Sequence, residues 1–152
     1  LSDAAGTDGI IGGQMLDLLA EEGPNHVPLD VERLQTLKTG RLITAACECG
    51  AIIGRAGEPE KLALRNYGAN LGRAFQIIDD LIDVEVTAAE AGKATSKDEA
   101  AGKATFVSLL GPERARNEAK ALVKKAVLAL SNFGKEADGL REAAAFVFKR
   151  RQ

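Results

Sequence analysis

The sequence predicts an all-α protein, and three observations carry that expectation. Apolar residues recur at three- and four-residue spacing along the chain, with no alternating β pattern. Glycine and proline gather at a few points that divide the chain into helix-length segments. Alanine, the best helix former, is plentiful, and there is neither a repeat nor a low-complexity segment.

The 152 residues read as a single domain, 1–152, long enough to bury about two-thirds of its unfolded surface. A hydrophobic content of 45%, 28% charged residues and a net charge of −2 describe an ordinary globular chain. That charge gives no electrostatic case for nucleic acid or an anionic membrane as partner. No apolar run approaches the ~18 residues needed to span a bilayer. The stretch Leu1-Ser2-Asp3-Ala4-Ala5-Gly6 lacks the basic and apolar regions of a signal peptide, so a cytoplasmic address is expected. The first residue is not Met, and a processed or truncated origin is expected as well. Cys47 and Cys49 fall on divergent sides of a predicted helix and, with His26 the lone histidine, make no zinc site. Reduced thiols in a core helix are the expectation.

In chain order, the first helix is expected from about Asp8 to Glu22, ending before Gly23-Pro24. Gly9, Gly12 and Gly13 hint at a phosphate loop, but no Lys-Ser or Lys-Thr follows them and no strand precedes them. Close helix packing is the stronger reading, with Gln14 and Asp17 making interhelical polar contacts. His26, between Pro24 and Pro28, is expected in an exposed loop. Asp30 then caps a long helix, Val31 to Ile53, that ends at Gly54. One inward row of it reads Leu34, Lys38, Leu42, Ala45, Ala46. Lys38 interrupts that row, either as a snorkelling lysine or as an inward cation for a phosphate, and the residues leave both open. Pro59 suits the first turn of the next helix, expected from Glu60 to Glu85. Residues 86–104 read as a long loop carrying Gly92-Lys93, Lys97-Asp98 and Gly102-Lys103, pairs suited to a phosphate. A short helix near Phe106–Leu110 precedes an amphipathic one, Glu113 to Phe133, with Leu122, Val123, Ala126, Val127 and Leu130 on one side. A last helix from Asp138 presents Leu140, Ala143, Ala144 and Val147, and its basic end, Lys149-Arg150-Arg151, suits the helix dipole.

The chemistry gathers at Phe75-Gln76-Ile77-Ile78-Asp79-Asp80-Leu81-Ile82-Asp83. At ~100° per residue, Leu64, Tyr67, Leu71, Phe75, Ile78 and Ile82 form one apolar stripe. Gln76, Asp79, Asp80 and Asp83 share a separate arc, extended by Gly68, Ala69 and Gly72, so nothing bulky is expected to cover it. Carboxylates at i,i+3 and i,i+4 repel one another and call for a counter-charge. Their oxygens are hard ligands suited to Mg²⁺, which also takes phosphate oxygens and keeps its waters. A solvated acidic face is the bland alternative, weighed down by the apolar surround and the lysines nearby.

This stretch closely resembles the second aspartate-rich motif of the trans-isoprenyl diphosphate synthases, the farnesyl and geranylgeranyl diphosphate synthases. Gly12-Gly13-Gln14-Met15-Leu16-Asp17 resembles the family's Gly-Gln helix and Leu37-Lys38-Thr39-Gly40 its Lys-Thr helix. Gly92-Lys93, Asp98 and Gly102-Lys103-Ala104-Thr105 follow in the family's order. The resemblance covers nearly the whole chain and is closest to a bacterial farnesyl diphosphate synthase.

What it implies is the C-terminal portion of an all-α isoprenoid synthase fold, usually a homodimer. Two aspartate-rich helices face a cavity and hold Mg²⁺, which grips the diphosphate of an allylic substrate. The double bond of isopentenyl diphosphate then attacks the allylic cation. Carried over, Asp79, Asp80 and Asp83 would bind metal, Asp79 most directly. Lys38, Lys93 and Lys103 would contact the allylic diphosphate, and Thr39 and Gln76 would place oxygen dipoles near the cation. No segment matches the family's first aspartate-rich motif, so the chain resembles a C-terminal half that is inactive alone. Val86-Thr87, Arg55 and Ser96 depart from the family's usual Gly-Asp, small residue and Gly. A terpene cyclase, or a non-catalytic subunit of a synthase, are the alternative readings.

Overall fold

The computed structural model describes residues 1–21, 31–91 and 105–150. Within them the chain is helical, with no strand. A short α1 (Ser2–Ala5) leads into α2 (Ile10–Glu21), and α3 (Val31–Gln35) passes through a π turn, Thr36–Gly40, into α4 (Arg41–Ile53). Helix α5 (Glu58–Ala91) is the longest, at 34 residues. After it come α6 (Phe106–Leu110), α7 (Pro112–Ala129), a 3₁₀ turn at Lys135–Ala137, and α8 (Asp138–Lys149). The His26 loop and the Asp30 cap lie outside the described residues, as do Lys93, Lys97, Asp98, Lys103 and Arg151.

Helix α5 runs beyond the bounds read from sequence because Val86–Ala91 holds no glycine or proline to stop it. It is flanked by α4 and the π turn on one side and by α7 on another, with α8 and α6 against its two halves. That enclosure makes its buried surface wider than a single stripe. Tyr67, Leu71 and Ile78 are buried as the stripe requires, but Leu64, Phe75 and Ile82 are only half-buried. Ala74, Ile77 and Leu81, which the stripe left out, are among the deepest residues.

The core has two parts strung along α5. Ala74, Ile77, Ile78 and Leu81 pack on Val107 of α6 and on Ala115, Ala119 and Leu122 of α7. Tyr67 and Leu71 pack on Ala126, Leu130, Ala137, Ala144 and Val147. Small Ala on α7 lets it lie close to α5, and the branched residues of α5 fill the gap. Leu122 is 1% exposed, so Leu122→Ala is expected to cost roughly 2–5 kcal/mol in denaturant unfolding. A loss below about 1 kcal/mol would be inconsistent with this packing.

The chain beyond α7 is tied down by polar bonds that the pattern of apolar residues does not reveal. Arg141 donates to the carbonyls of Leu130, Phe133 and Gly134 at 2.7 to 3.0 Å, closing the C-terminal end of α7. The Tyr67 hydroxyl donates to the Leu140 carbonyl at 2.8 Å. On α8, Ala144 and Val147 are buried and Leu140 half-buried, but Ala143 is exposed, so the inward face is narrower than expected. On α4, Ala45 is buried while Ala46 faces solvent.

Cys47 and Cys49 are free and half-buried, and burial pushes the Cys47 thiol up. Arg55 follows the Gly54 cap with a φ of 55°, and the Ala56 amide donates to the Ala51 carbonyl at 2.9 Å. That is a left-handed helix stop, a position where glycine costs least. It gives the unusual Arg55 a physical reading.

Candidate active site

The site is built on a seam between α5 and the antiparallel segment formed by α3, the π turn and α4. Helix α5 presents Arg65, Gly68, Gly72, Gln76 and Asp80, three or four residues apart and therefore on one face. At one end Arg65 pairs with Glu48. A Cβ added at Gly68 would lie 2.8 Å from the Thr44 Cα, and one at Gly72 would lie 2.8 Å from the Gly40 Cα. The two backbones therefore touch at the glycines of α5, against Thr44 and Gly40. Toward the aspartates the seam turns polar: the Thr39 hydroxyl donates to Gln76 Oε1 at 2.9 Å, and Gln35 Nε2 donates to Asp80 Oδ2 at 2.9 Å. The glycine end of the arc is thus covered by α4 and the π turn, contrary to the expectation that nothing bulky would lie over it.

The π turn interrupts what sequence alone reads as one continuous helix. The Arg41 amide donates five residues back, to the Thr36 carbonyl, which widens the turn carrying Lys38 and Thr39. Backbone presses on it from two sides. A Cβ at Gly13 of α2 would lie 2.3 Å from the Lys38 nitrogen and 2.5 Å from its Cα, and Gly72 abuts Gly40 as described. Gly13 is therefore a packing glycine, as the close-packing reading holds.

Lys38 Nζ pairs with Asp17 Oδ2 at 2.5 Å, so Asp17 makes the interhelical contact expected of it. Asp17 is buried, while about a third of the Lys38 side chain is exposed. The ammonium is held on the side of the turn facing α2, and Asp17 restricts where it can swing. Thr39 and Gln76 meet each other directly, which keeps both oxygens at the same level of the seam.

The three aspartates sit in different surroundings. Asp79 is half-buried, with its Oδ1 3.6 Å from the Arg150 guanidinium. Asp80 is half-buried and accepts on Oδ2 from Gln35 and, at 3.3 Å, from the Phe106 amide at the start of α6. Asp83 is exposed. Burial raises the Asp80 pKa; the bonds from Gln35 and Phe106 oppose the rise, and the charges of Asp79 and Asp83 add to it. Since its folded pKa lies above the unfolded one, Asp80 favours the fold most below about pH 3.9, and stability falls as pH rises through the folded value. Asp80→Asn is therefore expected to raise the unfolding midpoint of the metal-free chain at pH 7. The gap should close near pH 3; an unstable variant at pH 7 would contradict this.

Among the described residues no three His, Cys, Asp or Glu side chains are grouped so as to hold one metal ion together. The donor chemistry nevertheless fits a divalent ion bound from one side. Carboxylate oxygens at i, i+1 and i+4 suit Mg²⁺, which keeps several waters and takes few protein ligands. Asp79, Asp80 and Asp83 would hold it.

Two residues at the site escaped the sequence reading. Gln35 is 8% exposed and braces Asp80. Its signal was available: Gln35 and Thr39 are i,i+4 on one predicted helix, matching Gln76 and Asp80 on the next. Arg150, read only as part of a basic helix end, lies over the Phe75 ring at 4.7 Å beside Asp79. Only the crossing of α8 on α5 reveals it. Lys93 and Lys103 lie outside the described residues.

A sequence model described as polyprenyl synthetase matches residues 4–144. The farnesyl diphosphate synthase of Escherichia coli K12 is 39% identical over 155 residues, covering 99% of this chain and 51% of the relative. A dimethylallyltranstransferase of Fischerella ambigua is 38% identical over 150 residues, covering 99% and 43%. The crystal structure of an FPP/GFPP synthase from Zymomonas mobilis superposes with a TM-score of 0.80 at 46% identity, covering 96% of this chain and 48% of that one. The chain spans about half the length of these relatives and corresponds to their C-terminal part. Matched across its described helices and its aspartate motif alike, the chain belongs to the polyprenyl synthetase family.

Proposed function

We propose that the chain supplies a metal- and diphosphate-binding half of a short-chain prenyl diphosphate synthase. The reaction would condense an allylic diphosphate, dimethylallyl or geranyl, with isopentenyl diphosphate, head to tail, to a product such as farnesyl diphosphate. The supporting observation is that the Lys38-Thr39 turn and the Asp79–Asp83 face are braced on one seam, through Thr39 to Gln76 and Gln35 to Asp80. A lysine for a diphosphate and carboxylates for its metal are then held by the same pair of elements.

Bound Mg²⁺ would supply Lewis-acid stabilisation of the leaving diphosphate. Lys38, restrained by Asp17, would bind diphosphate oxygens together with Lys93 and Lys103. When the C–O bond breaks and the diphosphate departs with the electron pair, the allylic carbon becomes positive. The Thr39 and Gln76 oxygens, fixed before the reaction, would stabilise that charge without reorganising. Attack by the isopentenyl double bond and loss of a proton complete the chain extension. Homodimer formation and a cytoplasmic address belong to the same reading; among the described residues, no helix is long and apolar enough to cross a membrane.

The 152 residues carry one aspartate-rich motif, and the reading includes that they are inactive by themselves. The test is an assay with isopentenyl and geranyl diphosphates, with products sized by chromatography. It compares this chain alone with a hybrid in which the first half of the Zymomonas mobilis enzyme precedes it. Mg²⁺-dependent product from the hybrid only is the expected result. A folded but inactive hybrid counts against the reading, and turnover by the chain alone overturns its half-site part.

A further inference from the structure

We infer that Gln35 is a positioning residue for Asp80, holding its carboxylate so that one oxygen is presented to a divalent cation. The inference rests on the metal reading of the aspartate face. Gln35 Nε2 and the Phe106 amide both donate to Asp80 Oδ2, at 2.9 and 3.3 Å. These donors come from α3 and α6, two elements packed around α5, and together they fix the plane of the carboxylate. Among the described residues no hydrogen bond falls on Oδ1. That oxygen is the one left for a ligand.

The chemistry of the donor matters as much as its position. A lysine or arginine at position 35 would also orient the carboxylate, but its charge would cancel the attraction for a cation. An apolar residue would leave the carboxylate held by the longer Phe106 bond alone and would remove a bond that opposes its burial. A neutral amide does neither. The arrangement also carries a cost, because among the described residues the buried Gln35 Oε1 has no partner. With Nε2 committed to a carboxylate that can only accept, the amide cannot turn over to relieve it. A buried acceptor left unsatisfied is costly, and orienting Asp80 gives it a reason. Gln35 also leads directly into the π turn, so the strut holding Asp80 is continuous with the backbone that carries Lys38.

The test is Mn²⁺ binding to the 152-residue chain without substrate, followed by the electron paramagnetic resonance signal of the free ion. Gln35→Met keeps the length and removes the donor. It is expected to weaken Mn²⁺ binding about tenfold or more, with helical circular dichroism retained. Gln35→Asn keeps the amide but falls one methylene short, and serves if the Met variant does not fold; a similar loss is expected. Gln35→His restores a neutral N–H donor and is expected to recover much of the affinity, a rescue that a purely structural role does not require. If the Met and Asn variants bind as the parent does while Asp80→Asn does not, Asp80 binds metal without help from Gln35 and the inference falls. If Asp80→Asn also binds as the parent does, or the parent binds no Mn²⁺, the metal reading falls with it.

Discussion

Asp79→Ala, introduced into the hybrid with the Zymomonas mobilis half, is expected to lower turnover at least about a hundredfold at saturating Mg²⁺. Asp79 is half-buried beside Arg150 and one residue from the braced Asp80, so its removal takes away a ligand from the face proposed to hold the metal. The fold has little reason to fail. Among the described residues the ion-pair partner of Asp79 is the Arg150 guanidinium at 3.6 Å, and Arg150 keeps its place over the Phe75 ring. The decisive comparison is kcat with product length at several Mg²⁺ concentrations, alongside circular dichroism of the same preparation. Undiminished turnover in a folded variant would remove Asp79 from the metal site.

Gly13→Ala is expected to destabilise the chain by about 1–2 kcal/mol, whereas Gly50→Ala is expected to stabilise it by roughly 0.5–1 kcal/mol. Both positions are helical, so the intrinsic gain from replacing glycine by alanine is similar. Their surroundings differ. A Cβ at Gly13 would lie 2.3 Å from the Lys38 backbone nitrogen, while one at Gly50 would meet nothing within 4 Å. At Gly13 the obstacle is backbone, which cannot move aside as a flexible side chain can. Relief requires α2 and the π turn to separate, which also pulls Asp17 from Lys38. In the Gly13→Ala hybrid, weaker pyrophosphate binding is therefore expected to accompany the lower stability. Denaturant midpoints with the slope held constant measure both changes. Equal signs for the two substitutions would mean that propensity, not helix contact, governs Gly13.

The carboxylate face shows how stability and function pull apart in such a site. Burial raises the Asp80 pKa and two donors only oppose the rise, so neutralising it should help the metal-free fold while removing a proposed ligand. Opposite signs for stability and Mn²⁺ affinity in Asp80→Asn would be the mark of that tension.

Most helix positions were legible because periodicity and chain breaks are local. Phe106–Leu110 emerges as read, bounded by Gly111-Pro112 on one side and capped by the Thr105 hydroxyl on the other. The run from Val31 to Ile53 was legible as helix but not as helix with a π turn in its middle. Nothing in Thr36–Gly40 demands the extra residue per turn; the wider turn lies where Gly13 and Gly72 meet it.

By itself, then, the sequence determined an all-α chain, the aspartate face of α5, and the likeness of its motifs to those of one family. These rest on spacings of a few residues along a single helix, which a linear sequence records directly. Only the tertiary structure decided that Asp17 restrains Lys38, that Gln76 takes its bond from Thr39, and that Gln35 and Arg150 stand beside Asp80 and Asp79. Each of those pairs joins residues on different helices. Their meeting depends on how closely two backbones approach and at what register, and here that is set by glycines whose partners lie far away in the chain.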